Sequence, residues 1–271
     1  MAGRRYKRIL RSAACRTCVN KGSDGVISFG ATDIGKRREN NQDSFRIHVA
    51  GDYFSAVVCD GMGGANGGNI ASRLAADAYT KAVRSGMSRL KKKKNVTAED
   101  LENVALSSVS RANVEVYDKA SAEPDYEGMG TTLVALLVSR GMSVIVNVGD
   151  SRAYCLKKNV LVQVTKDHSF VQYLIDSGSI EPSQAENHPN KNLILRALGV
   201  NESIEADTYQ ISGYSAVLLC SDGLTNSISD EEIRSIVKRR KAPEEKVRAL
   251  IDAANRRGGA DNITAVLACA E

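Results

Sequence analysis

The sequence predicts an α+β protein built as two antiparallel sheets packed face to face, with helices outside. Three observations predict it. Short β-branched runs dominate, about ten of them. Helical stretches come in pairs between blocks of strands rather than alternating with them, which argues against a parallel sheet. The runs are joined by links of only a few residues, and short links suit antiparallel neighbours. All three are read directly from the chain.

Val26–Asp33 alternates apolar and polar residues and reads as the first strand. Lys36 to Asp43 is a polar loop. Ser44–Val49, a Gly51-Asp52 turn and Tyr53–Cys59 read as a β-hairpin. From Asn69 to about Ser85, Ile70, Leu74, Ala78 and Val83 fall on one face of a helix. The run Lys91–Lys94 reads as an exposed linker to a second helix. That helix opens with a Thr97/Asp100 capping box and carries Leu101, Val104, Leu106, Val109, Val114 and Val116 as its apolar side. A meander follows: Thr131–Val138, Met142–Val148, Arg152–Leu156 and Val160–Val164, turning at Arg140-Gly141 and Lys158-Asn159. Residues 167–200 differ, with a short helix from His168 to Ser177 and a polar stretch around Pro182 and Pro189. They read as an insert lying over a surface, a lid. Strands resume at Ile204–Ile211 and Ser215–Cys220. Two helices, capped by Ser229 and opened by Pro243, precede the last strand, Ile263–Cys269.

The chain has 271 residues, 42% hydrophobic and 25% charged, enough to bury a substantial core. No apolar run approaches the roughly 18 residues of a membrane span, and Ile9-Leu10 is too short for a signal-peptide core. Net charge is +5, but residues 1–21 hold seven basic side chains and no acid, so the rest nets −2. Residues 1–24 therefore read as a flexible basic tail on a folded unit of 25–271. Such a tail is either a solubilising extension or a contact for nucleic acid or an anionic membrane surface. Cys59, Cys155, Cys220 and Cys269 lie in apolar strands, as buried reduced thiols do, which points to the cytoplasm. Cys15-Arg16-Thr17-Cys18 is a lone pair with no partner pair for zinc.

Acids recur at strand mouths. Tyr53–Cys59 ends at Asp60-Gly61, Val144–Val148 at Gly149-Asp150, and Val217–Cys220 at Ser221-Asp222-Gly223. Asp261 precedes the last strand and Asp43 the hairpin strand. If the mouths converge, like charges would raise one another's pKa unless divalent cations sit among them. An all-carboxylate set selects Mg²⁺ or Mn²⁺ over zinc. Each Asp alone is also a good turn former, and spacing leaves both readings open.

Six segments decide between them. Arg38-Glu39-Asn40-Asn41-Gln42-Asp43, Asp60-Gly61-Met62-Gly63-Gly64, Gly128-Met129-Gly130-Thr131-Thr132, Gly149-Asp150-Ser151-Arg152-Ala153, Ser221-Asp222-Gly223-Leu224 and Gly259-Ala260-Asp261-Asn262-Ile263-Thr264 resemble, in order, the motifs of the type-2C metal-dependent Ser/Thr protein phosphatases in their bacterial form. The resemblance runs from about residue 26 to 269. It implies a four-layer αββα sandwich in which residues 167–200 form the flap. It implies hydrolysis of phosphoserine and phosphothreonine in proteins by a metal-activated water, reversing a Ser/Thr kinase. Two Mn²⁺ or Mg²⁺ per chain are implied, with a third, weaker site. Asp60 is similar to the bridging ligand, and Gly61 contributes its carbonyl. Asp222 and Asp261 resemble the ligands of the second metal, and Asp150 with Asp222 the third site. Asp43 resembles the acceptor that holds a metal-bound water, and Arg38 the phosphate-binding arginine.

Three positions depart from the pattern: Gln42 where many members carry Glu, Met62 where eukaryotic members carry His, and Asn69 where bacterial relatives carry Glu. The implied partners are phosphoproteins and a cognate kinase, the chain acting as a monomer. Nucleic acid is not expected, because the body is slightly acidic. The alternative is a catalytically weak phosphoprotein-binding module on the same fold. It calls for a lost metal carboxylate, and Asp60, Asp222 and Asp261 are all present.

Overall fold

A computed structural model describes residues 25–185 and 187–270. The basic tail and its Cys15/Cys18 pair lie outside these residues. Strands β1 (Val26–Asp33), β2 (Asp43–Ala50) and β3 (Tyr53–Met62) lead into two long helices, α1 (Gly64–Leu90) and α2 (Ala98–Ala122). The two-residue β4 (Gly130–Thr131) is followed by β5 (Leu133–Ser139), β6 (Met142–Val148), β7 (Arg152–Lys157) and β8 (Val160–Gln163). The insert carries α3 (Phe170–Asp176) and α4 (Pro182–Ala185). Next come β9 (Asp207–Ile211), β10 (Ala216–Cys220), α5 (Asp222–Thr225), α6 (Asp230–Val237), α7 (Pro243–Arg256) and β11 (Ile263–Ala270).

The strands make two antiparallel sheets. One has the order β1-β11-β10-β7-β8 and the other β2-β3-β5-β6-β9, with β4 added on β3. Burial explains the stacking. Phe54, Ala56, Val58, Leu136, Ile145, Leu219 and Val266 fill the space between the sheets. Alternate residues such as Val57, Ala135 and Val146 face α1 and α2. Leu218, Ala265 and Leu267 face α6 and α7. Strands buried on both faces lose the polar alternation of a half-exposed sheet, which is why β5 reads as one apolar run. Each fully buried large apolar side chain stabilises the fold by about 2 kcal/mol. The result is the four-layer sandwich the sequence predicts.

The elements depart from expectation where backbone meets backbone. Helix α1 starts at Gly64, five residues before Asn69. Its first turn lies against the end of β3, where a Cβ on Gly61 would sit 1.9 Å from the Gly68 carbonyl oxygen. Only glycines permit that approach, so the glycine run is helix rather than loop. The strand expected over Thr131–Val138 breaks at Thr132, where that residue turns both its N–H and its hydroxyl to Asp60 (2.8 and 3.0 Å). The strand expected from Ile204 begins only at Asp207, and the short α5 was not legible. The capping box at Thr97 and Asp100 forms as expected.

Candidate metal centre

Strand register brings the first two acids together. Asp43, at the start of β2, stands opposite Asp60, near the end of β3. The Asp60 backbone is gripped by Thr131 and Thr132: its carbonyl accepts from the Thr131 hydroxyl and the Thr132 N–H, both at 2.8 Å. The Asp43 carboxylate joins the two sheets. Its Oδ2 accepts from Ser221 Oγ at 2.7 Å and from Thr264 Oγ1 at 2.6 Å, both residues of the other sheet. Its Oδ1 is buried with no hydrogen-bond partner. Asp222 opens α5 directly after β10 and accepts at Oδ2 from Asn226 Nδ2 at 3.0 Å. A Cβ on Gly223 would sit 2.0 Å from the Asn262 carbonyl oxygen, so that glycine lets the Asp222 turn press onto the Asp261 turn. Asp150 follows β6, and its Oδ1 is likewise buried without a partner.

The electrostatics follow from this crowding. Burial pushes the Asp60 carboxyl far up, and Asp43, Asp222 and Asp150 push it further. Burial raises Asp43 to about 7, opposed by the bonds from Thr264 and Ser221. Asp150 is raised to about 7 by burial and then by the Asp222 and Asp167 charges. Asp222 is raised by burial and Asp261. Desolvation and like charge both disfavour the ionised forms here.

Arg38 sits half-exposed at the mouth, its Nη2 donating to Asp261 Oδ2 at 2.8 Å. Asp261, Asp60 and Asp222 all hold its guanidinium in the charged form. Gln42 has a structural use: its Nε2 donates to the Gly64 carbonyl at 3.0 Å, tying the start of α1 to the loop, a bond that an ionised Glu could not donate. Met62 packs its Cε beside Gly130. Asn69 has a buried Oδ1 with no partner. The residue that the sequence reading passed over is Asn262. Its Oδ1 accepts from the Gln42 N–H at 2.8 Å, and its Nδ2 donates to the Ile34 and Asn40 carbonyls at 3.0 Å. One side chain thus shapes the loop that carries Arg38. The signal was its place beside Asp261 in the last motif.

The flap is fastened at both ends. At its start, Asp167 takes a forked ion pair from Arg152 (2.9 and 2.7 Å), and His168 Nδ1 accepts from the Gly149 N–H at 3.1 Å. Burial lowers the His168 pKa, and a ring nitrogen that accepts from backbone is unprotonated, so this imidazole is a neutral prop beneath Gly149. At the far end, Leu198 exchanges backbone hydrogen bonds with Thr131 (3.1 and 2.8 Å), one residue along from the break beside Asp60.

Among the described residues, no three Asp, Glu, His or Cys side chains are gathered closely enough to ligate one ion. The acids take alternative partners instead: Asp222 holds Asn226, Asp261 holds Arg38, and Asp43 holds Ser221 and Thr264. The donor set nonetheless suits a hard divalent cation. It is all oxygen, burial and then neighbouring acids raise the pKa values of Asp43, Asp60, Asp150 and Asp222, and Asp43 and Asp150 each keep a buried unpartnered oxygen.

Known proteins are similar to this chain in sequence and fold. A protein phosphatase 2C family model matches residues 32–268. The serine/threonine phosphatase stp of Listeria monocytogenes is 41% identical over 239 residues, 87% of this chain and 92% of that protein. The crystal structure of Stp1 from Staphylococcus aureus has a TM-score of 0.80 at 33% identity, covering 90% of this chain and 94% of that one. The catalytic domain of PstP in complex with two manganese ions has a TM-score of 0.72 at 34% identity, covering 90% and 97%. With its motifs in order on this sandwich and the match running through nearly the whole folded part, the chain belongs to the protein phosphatase 2C family and is a metal-dependent serine/threonine phosphatase.

Proposed function

We propose that this chain removes phosphate from phosphoserine and phosphothreonine in proteins modified by a cognate Ser/Thr kinase. The ligands we assign are Asp60, the Gly61 carbonyl, Asp222 and Asp261 for two Mn²⁺ or Mg²⁺, and Asp150 with Asp222 for a third. The observation that carries this reading is the crowding of Asp43, Asp60, Asp150, Asp222 and Asp261 into one field, where burial and repulsion raise the first four. When bound, the cations supply Lewis-acid activation of water and neutralise phosphoryl charge.

The chain's own groups do the positioning. The buried Oδ1 of Asp43 is an acceptor for a water, held in place because Oδ2 is fixed by Ser221 and Thr264. Arg38, at the rim, presents a fork suited to two phosphoryl oxygens. Its bond to Asp261 is the one it would exchange for substrate. Residues 25–271 form the catalytic unit, and 167–200 the flap over its mouth. A cytoplasmic monomer is the setting we assign. Cys59, Cys155 and Cys220 are buried free thiols and Cys269 is half-buried. No helix among the described residues is long and apolar enough to cross a membrane.

Phosphate release from a phosphothreonine peptide should appear on adding Mn²⁺ and stop with EDTA. Release that ignores both would overturn the reading. Arg38→Ala should raise KM for the phosphopeptide tenfold or more, since charge-assisted bonds contribute about 1.5–3 kcal/mol. An unchanged KM would remove Arg38 from the phosphate site.

A further inference from the structure

The end of the sandwich away from the acids is strongly basic. Register fixes which turns lie there. Ala50 pairs with Tyr53, Tyr53 with Ser139, and Ser139 with Met142. In the other sheet, Val26 pairs with Ala270, Ala216 with Cys269, and Lys157 with Val160. All these are strand ends opposite Asp43, Asp60 and Asp222. The α1–α2 linker Lys91–Lys94 belongs to this end, because Lys91 Nζ lies 3.7 Å from Asp52 in the β2–β3 turn. So does the α6–α7 loop Lys238-Arg239-Arg240-Lys241. It follows α6, whose Arg234 donates to the Asn159 carbonyl of the β7–β8 turn at 2.9 Å.

Only part of this charge is paired internally. Lys91 meets Asp52, Lys93 meets Asp100 and Lys241 meets Glu245. Lys92, Lys94, Lys158, Lys238, Arg239 and Arg240 are exposed, and no ion pair joins any of them to another described residue. The two tetrabasic corners lie in opposite outer helix layers, roughly 30 Å apart across two sheets. Beside the Lys238–Lys241 corner the β7–β8 turn presents Lys157 and Lys158 next to Val160 and Val162, which are 53% and 50% exposed on one face of the edge strand β8.

We propose that this basic end is a docking face for an anionic lipid surface. The charges are spread over a broad end made of several turns, which suits a planar anionic layer. The exposed valines beside lysines suit the boundary between headgroups and acyl chains. A single-stranded nucleic acid site would call for aromatic stacking platforms, and the one large exposed aromatic among the described residues, Tyr173, is on the flap. The same polarity sets orientation. An anionic surface attracts the basic end, so the active site at the other end of the strands faces away, about 25 Å off.

The test is flotation of the full chain with vesicles of phosphatidylcholine containing about one-third phosphatidylglycerol, at about 0.1 M salt. The chain should float with these vesicles, stay behind with pure phosphatidylcholine, and detach at high salt. Changing Lys91–Lys94 to Gln, or Lys238, Arg239, Arg240 and Lys241 to Gln, should each weaken partitioning about a hundredfold. Phosphopeptide hydrolysis and melting temperature should stay unchanged. No flotation overturns the proposal. So does flotation that survives both quadruple variants, which would place binding in residues 1–24 alone. Tighter binding to duplex DNA than to the vesicles, lost in the same variants, would assign this end to nucleic acid and overturn it as well.

Discussion

Asp60→Asn and Asp222→Asn should each cut phosphopeptide hydrolysis by at least about a thousandfold while leaving a folded protein. An amide keeps the shape of the carboxylate and can still hydrogen-bond its neighbours. What it removes is the charge a cation needs, and positioned electrostatics of this kind carries a large share of phosphoryl-transfer catalysis. A second readout separates loss of chemistry from loss of fold. Asp60 is pushed far up by burial and its acidic neighbours, so Asp60→Asn relieves repulsion, and the metal-stripped variant should melt higher than the parent. Hydrolysis within tenfold of the parent in either variant would sink the ligand assignment.

In metal-stripped protein, stability should fall as pH rises from about 4 to about 7. The sign follows from Asp43 and Asp150, each raised from 3.8 to about 7 in the fold. Both bind a proton more tightly folded than unfolded, so unfolding releases protons and alkaline pH favours it. The effect is a few kcal/mol in all, or roughly 10 °C in melting temperature for a chain of this size. Mn²⁺ should reverse the trend and raise the melting point more at pH 8 than at pH 5, because it binds the deprotonated carboxylates. A stripped protein that melts higher at pH 8 than at pH 5 would show that the acids do not share one field.

Local chemistry was legible wherever a short stretch dictates its own structure. The capping box at Thr97 and the strand-end position of every assigned acid follow from neighbours in sequence. What misled was long-range contact. The first helix was expected only from Asn69, yet Gly61 and Gly68 allow a backbone crossing that starts α1 at Gly64. Thr132 lies within an apolar run, but two bonds to Asp60 break the strand there. Asn262 carries no charge and no periodicity, so its hold on the Arg38 loop was invisible until residues more than 200 apart met.

The sequence by itself determined the fold class, the family and the five acids, because strand endings and motif order are local properties. Only the tertiary structure decided how those acids act on one another. The β2–β3 register sets Asp43 opposite Asp60, and Ser221 and Thr264 reach across from the other sheet to hold Asp43. Sheet packing also gathers the lysine and arginine runs at the opposite end. Charge interaction depends on distance and burial, and both are set by packing rather than by position along the chain.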